Sequence, residues 1–172
     1  MCEMCDGASL EEVVETLHKR VLLNGFTMMM AEGPVPWVYT IGLISFDHPE
    51  LVVAGIDAPG AAELLGHLSR RVMSGHRLQP DTVVEIDGLT YGLAAVHPSR
   101  IASGLCAMWF RFHGLHPAST KLQVLQVQIP DEQFCACHAG SQPRLDLPGG
   151  TPGPPRREVR RQRARPKRAK RR

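Results

Sequence analysis

The sequence lacks the features that mark membrane and secreted proteins. It has no uninterrupted apolar run of about 18 residues, the length that suggests a membrane-spanning helix, because glycine, proline or charge breaks each apolar stretch. Its start, MCEMCDGASLEE, has no basic segment followed by an apolar one, as a secretory signal would. We therefore expect a cytoplasmic protein with no membrane contact.

Common enzyme motifs are also absent: the chain contains no HExxH helix motif, no nucleophile elbow and no Gly-rich phosphate loop. One catalytic hypothesis stays open, an enzyme of unknown reaction. It requires His48, Glu50 and either His113 or His116 to meet in one cleft. A loop histidine beside a proline more often serves a turn or a cap, so we expect a protein that is not an enzyme. The loop residues considered are Asp47, His48, Glu50, His97, His113 and His116.

Cysteine is scarce, yet four of the five cysteines lie in two short clusters. The first is Cys2-x-x-Cys5, and the second is Cys135-x-Cys137 with His138 beside it. Both clusters lie among polar or small residues and not on an apolar face, where a core cysteine is expected. A cytosolic location keeps thiols reduced, which favours metal ligation over disulfides.

Zinc is the metal that these ligands suit, because structural zinc takes four thiolate or imidazole ligands in a tetrahedron. Neither cysteine pair is sufficient alone, so the hypothesis requires the two clusters to share one closed site. Such a site would be structural or sensory. A redox pair or unused thiols remain the alternative. Cys106, within GLCAMWF, is predicted to belong to the core.

The last 25 residues differ in composition from the rest of the chain. Residues 148–172 begin with Pro and Gly, contain no aromatic residue and end in RREVRRQRARPKRAKRR. This final stretch holds eleven Lys or Arg and one Glu, whereas the rest holds nine basic and sixteen acidic residues. We expect a disordered tail that contacts nucleic acid without reading its sequence, with a targeting run as the alternative. The cationic residues are Arg156, Arg157, Arg160, Arg161, Arg163, Arg165, Lys167, Arg168, Lys170, Arg171 and Arg172.

Hydrophobic periodicity predicts a single α+β domain over residues 8–147, with helices packed on a mostly antiparallel sheet. The Cys2-x-x-Cys5 pair predicts a metal-binding arm at residues 1–7. The helices are predicted from ASLEEVVETLHKRVLLNG, with a Ser9–Glu12 capping box, from PGAAELLGHLSRRVMSG and from PSRIASGLCAMWFRF. FTMMMA, WVYTIGL, ELVVAGI and TKLQVLQVQIP read as strands, and Asp87-Gly88 predicts a two-residue hairpin.

WVYTIGL followed by HPELVVAGI resembles a bacterial family known as domain of unknown function 4262. The likeness extends through GFTMMM, AMWFRFHG and LQVLQVQIPDEQF and covers roughly residues 10–134. It implies a strand-rich α+β fold and no particular activity.

With the thiol clusters added at both ends, the chain also resembles mycobacterial zinc-responsive factors that recruit a ribosome-hibernation protein, protein Y, when zinc is scarce. That resemblance implies that zinc prevents recruitment and leads to proteolysis. The resulting hypothesis is a zinc-responsive, ribosome-associated adaptor that regulates translation under stress. Its acidic body would meet a basic partner such as the hibernation factor, and its tail would hold ribosomal RNA. A general nucleic-acid-binding protein with a structural zinc is the alternative.

Overall fold

The computed structural model describes residues 7–31, 35–117, 122–130 and 142–148. Within these residues, four helices and six strands occur along the chain, and one short 3-10 turn, Leu43–Phe46, follows the second strand. The elements are α1 (Leu10–Asn24), β1 (Thr27–Ala31), β2 (Trp37–Ile41), β3 (Glu50–Ala54), α2 (Ala58–Met73), β4 (Thr82–Ile86), β5 (Leu89–Ala95), α3 (Pro98–Ala102), α4 (Ala107–Phe112) and β6 (Val124–Gln128).

The six strands form one sheet in the order β1-β2-β3-β6-β5-β4. Every neighbouring pair is antiparallel except β3 and β6, which run parallel with Glu50 opposite Val124. The prediction of an α+β domain with a mostly antiparallel sheet is therefore confirmed. The parallel pair arises because α2, the β4–β5 hairpin, α3 and α4 all intervene before the chain returns beside β3.

Apolar side chains cover both faces of the sheet. On one face, α2 packs Leu65 and Leu68 against β2 and β3. On the other face, α1 and α4 contribute the buried side chains of Leu17 and Trp109 to a second core that α3 also joins. All five residues of β3 are buried, as its continuous apolar sequence after Glu50 indicates. At about 1.5–3 kcal/mol for each large buried side chain, these two layers are the main source of stability.

The first helix has the predicted caps. The Ser9 hydroxyl accepts a hydrogen bond from the Glu12 N–H at 3.3 Å, and the Glu12 carboxylate accepts one from the Ser9 N–H at 2.7 Å. Gly25 ends the helix with φ 79°, a left-handed conformation that costs glycine little. Asp57 occupies the N-cap of α2, although its side chain makes no capping hydrogen bond.

Two elements differ from the sequence prediction, and one matches it closely. The single helix expected over residues 98–112 is two short helices, because the chain turns between them through Gly104 at φ 100°. WVYTIGL is a strand only to Ile41 and then enters the 3-10 turn. Asp87 and Gly88, both at positive φ, join β4 to β5 as the hairpin signal predicted.

None of the helices in the described part of the chain combines the length and the apolar character that crossing a bilayer requires.

Candidate functional site

Glu50 is the most deeply buried acidic side chain that the structure describes, with 1% of its surface exposed at the start of β3. Its Oε2 accepts a hydrogen bond from the Thr40 hydroxyl at 2.6 Å and a longer one from the Leu43 N–H at 3.4 Å. Its Oε1 accepts from the Gly42 N–H at 2.9 Å and from Trp109 Nε1 at 3.1 Å. One carboxyl group thus ties β2, the 3-10 turn and α4 to β3.

These contacts have opposing effects on the charge of Glu50. Burial, the larger effect, raises the pKa of its carboxyl above the ordinary value, whereas the hydrogen bonds from Thr40, Gly42, Trp109 and Leu43 oppose that shift. Three of the partners are N–H groups, which can only donate. The main role of Glu50 is therefore to accept these hydrogen bonds and so hold the surrounding elements together.

Gly42 allows the turn that reaches Glu50. Its φ is 122°, and a Cβ atom there would lie 2.8 Å from the Gly25 carbonyl oxygen. Gly42 thus permits a close backbone approach, and the neighbouring segment is the end of α1.

His48 is buried and uses both ring nitrogens to hold its loop. Nδ1 lies 2.7 Å from the Pro49 carbonyl oxygen, and Nε2 lies 3.0 Å from the Leu78 N–H. Because an N–H can only donate, Nε2 is the acceptor and Nδ1 carries the proton. Burial lowers the pKa of His48, which keeps the ring neutral. Beside it, Arg77 pairs with the Asp47 carboxylate at 2.9 Å.

Two further histidines have structural contacts: His97 caps a helix and His113 packs on an aromatic ring. The Nδ1 atom of His97 accepts a hydrogen bond from the Ser99 N–H at 3.2 Å and so caps α3. The ring of His113 packs 4.2 Å from that of Trp109, and its buried Nε2 has no hydrogen-bond partner among the described residues. Burial, and to a lesser extent His18, lower the pKa of His113.

The convergence that the enzyme hypothesis requires is not found in the described part of the chain. His48 and Glu50 line the same cavity of 140 Å³. The described hydrogen-bond donors to the Glu50 carboxyl, however, include neither His48 nor His113. His116 instead lines a separate groove between α1 and α4. The geometry therefore gives these residues roles in the fold and does not favour a catalytic pair.

That groove, the α1–α4 groove, has a volume of about 860 Å³. Sequence reasoning missed it because its walls come from elements far apart in the chain. Its lining is mostly apolar, with charged and imidazole groups at the rim. The residues that define it are Leu10, Val14, His18, Phe110, Leu115 and His116.

The predicted zinc ligands Cys2, Cys5, Cys135, Cys137 and His138 lie outside the described residues. So does the whole cationic stretch from Arg156 to Arg172. These assignments stay predictions, as do the boundaries at residues 1–7, 8–147 and 148–172. In the described ranges themselves, no group of three or more His, Cys, Asp or Glu side chains could hold a metal ion.

Cys106, by contrast, is described and has no exposed surface. It packs in the core on the α1 face of the sheet, which confirms the prediction for this cysteine. Burial raises the pKa of its thiol, and the Glu50 carboxyl adds to that effect. Its thiol is therefore protonated and unsuited to bind a metal.

The described residue that follows the second thiol cluster is fixed at one end of the sheet. Gln142 Nε2 donates to the carbonyl oxygens of Ala54 at 3.1 Å and Val127 at 2.9 Å. Its Oε1 accepts from the Ile129 N–H at 2.8 Å. Ile129 immediately precedes Pro130, after which the described chain is interrupted until Gln142. The described residues that flank the second cluster, Ile129 and Gln142, therefore lie together at the carboxyl ends of β3 and β6.

Gly104 lines two cavities. It lines the α1–α4 groove, as does Leu10 at the start of α1. It also lines a 300 Å³ cavity with Ala54 and Pro143. The start of α1 and the segment after Gln142 therefore border two different cavities that share Gly104 in their linings.

A family profile described as domain of unknown function DUF4262 matches residues 21–134. The chain belongs to the DUF4262 family. The match covers the sheet from β1 to β6, and it agrees with the resemblance seen in the sequence. Searches of curated proteins and of solved structures gave no match to this DUF4262 protein.

Proposed function

We propose that this DUF4262 protein is a zinc-responsive, non-enzymatic adaptor that associates with ribosomes. The proposal has three parts: one zinc ion shared by the two thiol clusters, contact between the basic tail and ribosomal RNA, and a protein partner such as a hibernation factor. The observation that carries it is that the described residues after each cluster, Leu10 and Pro143, line two cavities that share Gly104.

Chain length supports a shared zinc site. An extended chain spans at most about 3.5 Å per residue. Cys5 is therefore within ~7 Å of Gly7, and Cys137 is within ~17 Å of Gln142. Gln142 is fixed at the Ala54 end of β3, and the cavity beside that end shares Gly104 with the groove that the start of α1 lines. These chain lengths are compatible with a meeting of the two thiol clusters. Cys2, Cys5, Cys135 and Cys137, with His138 available, are the donor types that zinc prefers.

Two observations favour an adaptor over an enzyme. The buried Glu50 and His48 direct their polar atoms to backbone and side-chain partners within the fold. The cationic tail is suited to a polyanion, because eleven Lys or Arg residues would release counterions from phosphates on binding.

Metal analysis of the purified full-length protein tests the shared site. Elemental analysis of the wild type should find one zinc atom per chain, and Cys2→Ser and Cys137→Ser should each lose it. Cys106→Ala is the matched control, because this buried thiol lies in the core, and it should keep its zinc. Full zinc retention in both cluster variants would refute the shared site.

Sucrose-gradient fractionation of cell lysates, with and without a zinc chelator, tests the ribosome association. We expect the protein in ribosomal fractions after chelation and less of it there when zinc is plentiful. Absence from these fractions under both conditions would end the proposal. Equal affinity for duplex DNA and for ribosomes would favour a general nucleic-acid-binding protein instead.

A further inference from the structure

The edge strand β1 lacks the usual protection against pairing with another chain. Within the described sheet it pairs with β2 alone. Its five residues, TMMMA, include no charge and no proline, whereas the strand at the opposite edge, β4, carries the exposed Glu85. Natural sheets usually shield an edge with charge, proline or a bulge. In the part of the chain that the structure describes, nothing pairs with the outer edge of β1, which leaves that edge available for strand addition.

A groove of 590 Å³ lies beside this edge, on the α2 face of the sheet. We call it the β1 groove. Its walls are the end of α1, the start of β1 and the last turns of α2. Met73 is 37% exposed in it. The residues that line it are Asn24, Phe26, Thr27, Met28, Arg70 and Met73.

Gly66 on α2 brings the apolar and cationic parts of this surface together. A Cβ atom at Gly66 would lie 3.5 Å from both Met28 Cε and Arg70 Nη1. The end of the Met28 side chain and the Arg70 guanidinium group therefore converge where α2 has no side chain. Methionine side chains are flexible and polarisable, so such a surface can fit partners of varied shape.

The charge of the β1 groove indicates what binds there. Arg70 is exposed and is the only charged residue in the lining. Among the described ion pairs, none involves Arg70. A symmetric contact between two copies of the chain would bring two Arg70 side chains to the same lining, with no carboxylate to neutralise them. A foreign segment with a carboxylate is the complementary occupant.

We propose that β1 and the β1 groove bind an extended, acidic segment of another protein by strand addition. The backbone of that segment pairs with the free edge of β1, and alternate side chains face α2. A carboxylate then meets Arg70, and an apolar neighbour two residues away packs on Met28 and Met73. The described residues of this surface include no member of the thiol clusters or of the basic tail, so its test is separate from the test of the proposed zinc response.

Selection of random nine-residue peptides by the full-length protein tests this inference. We expect the selected peptides to alternate apolar and polar residues and to share one Asp or Glu position. A synthetic peptide from the selection should bind the Arg70→Glu variant about five- to tenfold more weakly than it binds the wild type. This is the effect expected when the charge of one partner in a partly exposed ion pair is reversed. Arg111→Glu is the matched control, because Arg111 is an exposed arginine on α4, across the sheet. It should leave binding unchanged.

Hydrogen exchange locates the bound peptide. The synthetic peptide should slow exchange of the amides of residues 27–31. Failure to select acidic peptides, peptide binding that survives Arg70→Glu, or protection confined to another strand would each overturn the proposal. Concentration-dependent dimerisation that protects β1 without peptide would assign the edge to a second copy. Binding only of RNA oligonucleotides or anionic vesicles through Arg70 would likewise refute a protein partner.

Discussion

Replacing Glu50 by alanine is the sharpest test of how this fold is held together. The change removes the acceptor for the Gly42 N–H and for Trp109 Nε1, both buried hydrogen-bond donors. Each buried donor left without a partner costs about 1–3 kcal/mol. We therefore expect a loss of about 2–6 kcal/mol, a large part of the roughly 5–15 kcal/mol that a typical domain has in total.

Glu50→Gln should be much milder, at about 1–2 kcal/mol. Its amide oxygen can still accept from Gly42 and Trp109, and its amide nitrogen can donate to the Thr40 hydroxyl once that group turns. Glu85→Ala is the matched control, because Glu85 is an exposed glutamate on β4. It should change stability by less than about 0.5 kcal/mol.

Urea unfolding at neutral pH, followed by tryptophan fluorescence and by circular dichroism, measures all three variants. Trp109 is 1% exposed and bonded to Glu50, so its emission reports directly on this part of the core. If Glu50→Ala does not fold, the Gln variant still gives a measurable midpoint. The reasoning fails if Glu50→Ala stays within about 0.5 kcal/mol of the wild type, or if the Gln variant is the less stable of the two.

Two other predictions follow from the same region. Gly42→Ala should destabilise the protein by about 2–4 kcal/mol, since it combines a strained φ with a backbone clash. Gly75→Ala is the control: its φ is also positive, but it lies in open space, so the change should cost only about 1 kcal/mol. Equal urea midpoints for the two variants would contradict the clash at Gly42. Burial lowers the pKa of His48 below its unfolded value of about 6.5, so the unfolded chain binds the proton first, and stability should fall as the pH drops from that value toward the folded pKa. His48→Gln should show a smaller fall in urea midpoint between about pH 7.5 and pH 5.5, and an unchanged fall would show that His48 is not the group that titrates.

Local sequence signals predicted most of the helices and strands, because each signal acts through neighbouring residues. Ser9 and Glu12 satisfy the first turn of α1, and Asp87-Gly88 supplies the two positive φ angles of a hairpin. The division of the third helix was missed although Gly104 was visible. Its apolar pattern continues across the turn, so periodicity alone did not locate the break.

The roles of Glu50 and Arg70 could not be predicted in the same way. Glu50 looked like a loop acid beside His48, and its partners come from β2, the 3-10 turn and α4. No sequence motif singles out Arg70 within the second predicted helix. Only the approach of α2 to Met28 at Gly66 places the two side chains near each other.

The sequence by itself determined where positive charge is concentrated, and it predicted most of the helices and strands and the candidate metal-binding cysteines, because these properties depend on residue type and short spacing. Tertiary structure alone decided that Glu50 is a buried acceptor, that β1 is an edge strand of the described sheet, and that Met28 and Arg70 both lie beside Gly66. These properties depend on which distant segments the sheet brings together, and long-range strand pairing leaves no short motif in the chain.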